Sequence, residues 1–296
     1  ETVFGLYAYV NYTRPPVRVK PHPNLAIGLA PITLNRVHPM SDKEHPTSAL
    51  LQSLVKGWTE KHNRIVFRGD VYNLAEVSAP CPMIGKWSGD LPVYIRSGIR
   101  YWMPESIGSF DSNLPALWLN LRLSWNTGET PESALDDLWR GFYGKAGEAM
   151  KKYWLKADEA WLLSREWSGG GHGHSMRFTP GIMAELRSLM DQALAVGEPG
   201  AFRQRVELAN SSLALFELFM RMKERFASGE FSGLDGECDA WLAECGRLEQ
   251  IYKDNEAFQR YAVQYFKRYW EQAYRNAAVL DLSLIHISEP TRQRQP

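Results

Sequence analysis

The chain has 296 residues, enough for one large domain or two ordinary ones. Its 34 basic and 34 acidic side chains cancel, which argues against nucleic acid or an anionic membrane surface as a partner. No apolar run approaches the roughly 20 residues that a membrane helix needs, and no stretch calls for a cofactor.

The opening "ETVFGLYAYV" already reads as a core strand. A domain rarely starts inside its core, so a preceding segment is expected and compartment cannot be read from a leader. After a Pro-rich loop, "NLAIGLAPI" is a second strand candidate. "HPTSALLQSLVKGWTEKH" is an amphipathic helix with Thr47 or Ser48 as its cap. "NRIVFRGDV" is a third strand, "PMIGKWSGDLPVYIRSG" holds a short helix ending at Gly98, and "IRYWMPES" is a fourth strand. Apolar runs alternating with helices predict parallel βα units.

From residue 113 the period changes to helical. "LPALWLNLRLSWN", "PESALDDLWRGFYGKAGEAMKKYWLKADEAWLLSR" and the segments that follow to Leu280 carry apolar stripes opposite charged faces. The expected fold class is therefore α/β plus all-α: residues 1–112 as the C-terminal half of a (β/α)8 barrel, and residues 113–281 as an all-helical domain. Four parallel strands alone leave two free edges, which is why the barrel needs more strands than these. The aromatics Trp154, Trp161, Trp167, Trp241 and Trp270 read as exposed on the helical part, available to the barrel or to a second subunit. Residues 282–296 stand apart. "LSLIHISEPTR" reads like a translated sequencing adapter, so this tail is expected to be non-native.

Cys81, Cys238 and Cys245 look structural. The last two are seven apart on a helix, about 10.5 Å of rise, too far for a disulfide. "GGGHGHS" (Gly169 to Ser175) reads as an interhelical loop. Two histidines in a glycine run without an acid or cysteine beside them are a weak metal signal, and no metal site is expected.

In a parallel barrel the active site lies at the C-terminal strand ends. The first strand there contributes Tyr7, Tyr9 and Asn11. The second contributes Asn35, Arg36 and His38, and the third contributes Arg68, Asp70 and Tyr72, with Asn73 next. The fourth contributes Tyr101, Trp102 and Glu105. Acids that cleave a glycosidic bond, aromatics that stack on sugar faces and arginines that pair with a sugar carboxylate form the inventory of a polysaccharide or acidic-sugar site. The composition, 12% aromatic with 11 tryptophans, is compatible with this, although most of those rings are expected in the core. The competing reading for Glu105 is a helix cap or half of an ion pair with Arg36 or Arg68. For Asp70 it is an ordinary turn aspartate after glycine, and for His38 a loop hydrogen bond.

"FGLYAYVNYTRPP", "NLAIGLAPITLNRVHP", "YNLAEVSAPCPMIGKWSGDLPVYIRSGIRYWMPES" and "LWLNLRLSWN" resemble the DUF4838 proteins over roughly residues 4 to 280. These are bacterial proteins similar to alpha-glucuronidase-type glycoside hydrolases. The resemblance implies a barrel followed by a helical domain, with Glu105 and Asp70 as late-strand catalytic carboxylates and the general acid on an earlier strand. Substrate contacts would come from Tyr9, Asn11, Arg36, His38, Arg68, Tyr72 and Trp102. It favours a periplasmic or extracellular setting and allows a homodimer through the helical domain. The expected function is glycoside hydrolysis of a polysaccharide or a uronic-acid-containing oligosaccharide. The alternative is a carbohydrate-binding protein on the same barrel without catalysis.

Overall fold

The computed structural model describes residues 2–32, 34–72, 78–106, 110–163, 174–255, 257–258 and 262–288, with the backbone alone at 174 and 281–288. Four strands, β1 (Phe4–Tyr9), β2 (Leu25–Ala30), β3 (Ile65–Asp70) and β4 (Tyr101–Glu105), form one parallel sheet in the order of the chain. Two helices, α1 (Ser48–Lys61) and α2 (Ile84–Arg96), make the crossovers after β2 and β3. Further helices follow: α3 (Phe110–Trp125), α4 (Pro131–Asp137), α5 (Gly147–Leu162), α6 (Pro180–Val196), α7 (Ala201–Ser228), α8 (Leu234–Ile251), α9 (Ala262–Phe266) and α10 (Gln272–Ser288). None of the described helices is long and apolar enough to cross a membrane.

The period of two in β3 explains which way the sheet faces. Ile65, Phe67 and Gly69 are buried, while Val66, Arg68 and Asp70, which alternate with them, are partly exposed. Ile27 and Leu29 of β2 are paired with Ile65 and Phe67 and point the same way, into a core completed by Leu51, Leu54, Val55 and Trp58 of α1 and Trp87, Leu91 and Tyr94 of α2. The opposite face carries Tyr7, Gly28, Val66, Arg68 and Met103 along the register. It is open: Tyr7 is 53% exposed, Tyr101 51% and Met103 37%. Gly28 leaves room on that face for the Tyr7 ring, which would lie 2.9 Å from a β-carbon there.

Thr47 does stand at the N-cap of α1, but its side chain makes no capping bond. Its hydroxyl instead accepts from the Asn35 amide at 2.9 Å, tying the helix start to the loop after β2. The segment 131–162, helical by its period, breaks in the middle. A π-turn at Leu138–Phe142 and a 3-10 turn at Gly144–Ala146 separate α4 from α5. The sequence GFYGKAG permits this because Gly144 adopts φ +55° and Gly147 packs against the Trp139 carbonyl where a side chain has no space.

A second core lies among α5 to α10. Trp154 and Trp241 are fully buried in it, and Trp161 of α5 packs into the sheet-side core. These tryptophans are therefore not available to a second subunit, contrary to the exposed reading of the sequence: their helices are covered on more than one side. Trp270 is partly buried against the same core, and Trp167 lies outside the described residues. The three cysteines are buried and free. The two cores meet at α3, whose buried positions include Leu114 in one and Leu117 and Leu119 in the other. A second link is Asp158 of α5, whose carboxylate accepts the Ile84 and Gly85 amides at 2.8 and 2.9 Å. It caps α2 from 73 or 74 residues away.

Candidate functional site

Asp70 and Glu105 end neighbouring strands and are partners in the parallel register. The ladder continues one step further, with the Val71 amide donating to the Glu105 carbonyl at 2.8 Å. Strand ends that stay paired place the two carboxyl groups side by side, close enough for Glu105 to act on the proton affinity of Asp70.

Each acid also has an arginine. Arg36, from the loop after β2, reaches Asp70 with Nε at 3.4 Å from Oδ2. Arg68, two residues before Asp70 on the same face of β3, forms an ion pair with Glu105 Oε2. Tyr72 closes the ring of contacts. Its hydroxyl donates to Glu105 Oε2 at 3.1 Å, the Arg36 guanidinium lies 5.0 Å from its ring centre, and Arg36 Nη2 donates to its carbonyl at 3.4 Å. Arg68 in turn sits 5.8 Å from the ring centre of Tyr7 on the open face.

This network sets the proton affinity of Asp70. Burial pushes its carboxyl above the ordinary value, and the hydrogen bond and charge of Glu105 push the same way. Arg36 and Arg68 oppose the rise without cancelling it. Tyr72 is pushed up as well, chiefly by burial and then by the charge of Asp70.

Under this ring lies a second, fully interior pair. Lys86 and Asp90 of α2 are ion-paired, and both are buried. Asp90 also accepts the Met40 amide at 2.6 Å, which fastens the loop that carries Arg36. Lys86 lines a small cavity of about 30 Å³ together with Arg36, Arg68 and Asp70, room for about one water. Sequence reasoning passed over this pair. Its signal was present: a Lys and an Asp four apart on a helix face otherwise made of Trp87, Leu91 and Tyr94. Gly69 belongs to the same construction. The Trp87 indole approaches within 2.5 Å of where its β-carbon would be, so the strand can pass over the ring only with glycine.

The structure thus gathers Arg36, Arg68, Asp70, Tyr72 and Glu105. Tyr9 ends β1 on the open face and is 38% exposed, paired in register with Ala30. Asn11 is exposed in the 3-10 turn at Val10–Tyr12 that follows. His38 lies in the loop after β2: it is buried, Nδ1 lies 3.2 Å from Asp42 Oδ2, and its amide donates to Asn35 Oδ1 at 2.9 Å. It belongs to a loop built around Asn35, which also accepts from Val37 and donates to the His38 carbonyl. Trp102 points to the opposite face of the sheet. It stacks on Phe67 at 5.1 Å, and its Nε1 donates to Asn120 Oδ1 at 2.8 Å. Asn73 and most of "GGGHGHS" lie outside the described residues. Among the described residues, no group of three or more His, Cys, Asp or Glu is arranged to hold a metal ion.

No curated protein and no solved structure matches this chain. A family model described as a domain of unknown function, DUF4838, matches residues 1–155 of the 296, which takes in all four strands, the Asp70–Glu105 pair and the helices into α5. On that match, which covers more than half of its length, the chain belongs to the DUF4838 family.

Proposed function

We propose that the strand-end network is the acid/base end of a glycoside hydrolase site acting on a polysaccharide or a uronic-acid-containing oligosaccharide. The observation that carries this reading is the contact between the Asp70 and Glu105 carboxyl groups, with Asp70 held protonated to higher pH, on the one sheet face left open. Carboxyl groups flanking a glycosidic bond stand about 5–5.5 Å apart in retaining enzymes and about 6.5–9.5 Å apart in inverting ones. Asp70 and Glu105, as register partners on adjacent strands, stand next to each other on one side of any bound glycosidic bond. Asp70 and Glu105 therefore serve one flank of the bond as a unit: one ionised carboxylate accepts a proton from water, and its neighbour shares the charge. Arg36 and Arg68 keep that unit ionisable and present donors to a sugar carboxylate, and Tyr7 and Tyr9 supply ring faces. The general acid of the other flank comes from a different element.

The matching fold proposal is that the four strands are half of a closed (β/α)8 barrel, similar to the alpha-glucuronidases. It is supported by the strictly sequential parallel order and by the bare face, since parallel sheets are covered on both sides. Reducing-sugar release from acidic oligosaccharides by the protein at its natural length tests the functional reading. Glu105→Gln should abolish release while saccharide binding persists. Undiminished release refutes the assignment.

One observation favours a second reading, a carbohydrate-binding protein without catalysis. Both acids are already matched by arginines, as a purely structural network would have them. Calorimetry that finds saccharide binding with no turnover at natural length decides for this second reading.

A further inference from the structure

Away from the sheet, a groove runs between the start of α7, the end of α8 and the π-turn at Leu138–Phe142. It consists of two cavities, of about 620 and 490 Å³, which share Phe142 and Arg205 in their walls. Volumes of this size suit a small organic ligand. The larger one is walled by Phe110, Phe142, Leu208, Ile251 and Tyr252, with Gln204, Arg205 and Asn255 as polar lining. Phe110 is 37% exposed and Ile251 55%, so the apolar wall is open to solvent.

Arg205 decides what the groove would take. Its guanidinium lies 4.4 Å from the Phe142 ring centre and 5.5 Å from that of Phe202. Nη1 donates to the Phe142 carbonyl at 2.9 Å. The rings hold the group in place but use none of its N–H donors. Among the described residues Arg205 has no carboxylate partner, whereas the acids nearby are engaged. Glu207 in the larger cavity accepts from Arg203 at 2.9 Å, and Asp137 in the smaller accepts from Arg122 at 3.0 Å, with Arg140 3.8 Å away. With no partner for Nε or Nη2 among the described residues, the held guanidinium has the geometry that grips a carboxylate with two parallel hydrogen bonds. The aromatic and aliphatic wall beside it fits a flat or ring-shaped body.

We infer that this groove binds a carboxylate borne on a six-membered ring, gripped by Arg205 and packed against Phe142 and Tyr252. An aryl acid and a sugar acid share this chemistry, and the inference does not depend on the strand-end site. Titration calorimetry on the intact chain would use benzoate and glucuronate as probes, with benzamide and methyl glucoside as their uncharged counterparts. Saturable binding of either acid is expected, with the matching neutral compound weaker by at least about tenfold. Arg205→Met should remove binding. Arg205→Lys, which keeps the charge and loses the fork, should weaken it by about tenfold and guards against a folding defect in the first variant. The benzoate and glucuronate arms separate the two sources. Failure of both acids to bind, equal binding of acid and neutral probe, or unchanged binding by both folded variants overturns the inference.

Discussion

The Asp158 carboxylate joins the helical part to the sheet part, and its removal should be felt by both. It is 5% exposed and accepts the Ile84 and Gly85 amides, the first N–H groups of α2. Burial raises its pKa from 3.8 to about 6, although both amide bonds pull it down. That difference in proton affinity corresponds to about 3 kcal/mol. The folded protein therefore binds this proton more tightly than the unfolded chain does. The contribution is complete below about pH 4 and is lost as pH rises through about 6, so stability from this group falls with pH across that window. Asp158→Asn removes the titration. It keeps an acceptor for one amide and sets a donor against the other, a loss of about 1–3 kcal/mol where the wild type is ionised. Urea unfolding of both proteins from about pH 4 to pH 7 reads the difference directly. The wild-type curve should fall relative to Asp158→Asn between about pH 4 and pH 6. Parallel curves across that range refute the raised proton affinity that burial gives Asp158, and coincident curves refute the capping role as well.

Three further outcomes follow from the same contacts. Trp102→Phe leaves the buried Asn120 Oδ1 without its donor and should cost about 1–3 kcal/mol in thermal or urea melts while saccharide binding stays unchanged; a loss of binding with normal stability would return Trp102 to the site. Lys86→Met strands the Asp90 carboxylate in the interior and should cost about 3–5 kcal/mol, part of it recovered when Asp90→Asn is added; a change under about 1 kcal/mol would mean that the pair is not buried as described. Glu105→Gln removes a charge and a hydrogen-bond partner that both raise the Asp70 pKa, so Asp70 should titrate at lower pH in carboxyl-resolved NMR; an unmoved Asp70 would show that the two groups are not in contact.

Much of this architecture was legible. The alternation in "IVFRGD" and the apolar stripe from Val206 to Met222 each fix an element and its buried side. The strand-end rule then drew Arg36, Arg68, Asp70, Tyr72 and Glu105 to one place. The ion-pair alternative for Glu105, with Arg68 as partner, is realised in the same geometry. What escaped the sequence depends on parity or on distance along the chain. Trp102 faces the helices because register sets it beside Phe67, and a strand with aromatic residues at both parities does not announce which one turns inward. The loop of His38 is organised by Asn35, whose Oδ1 accepts the Val37 and His38 amides, and no local pattern marks that role. The Asp158 cap and the groove at Arg205 join segments far apart in sequence, and no local pattern marks them. The break at "GFYGKAG" is visible in its three glycines only once the close approach of Gly147 to the Trp139 carbonyl is known.

On the function proposed above, the open face at the ends of β3 and β4 meets a sugar. Hydrogen exchange of the chain, measured by mass spectrometry with and without a uronic-acid-containing oligosaccharide, tests it most directly. Slowed exchange is expected across residues 68–72 and 101–106. Saturating oligosaccharide that leaves both segments exchanging at their free rates would contradict it.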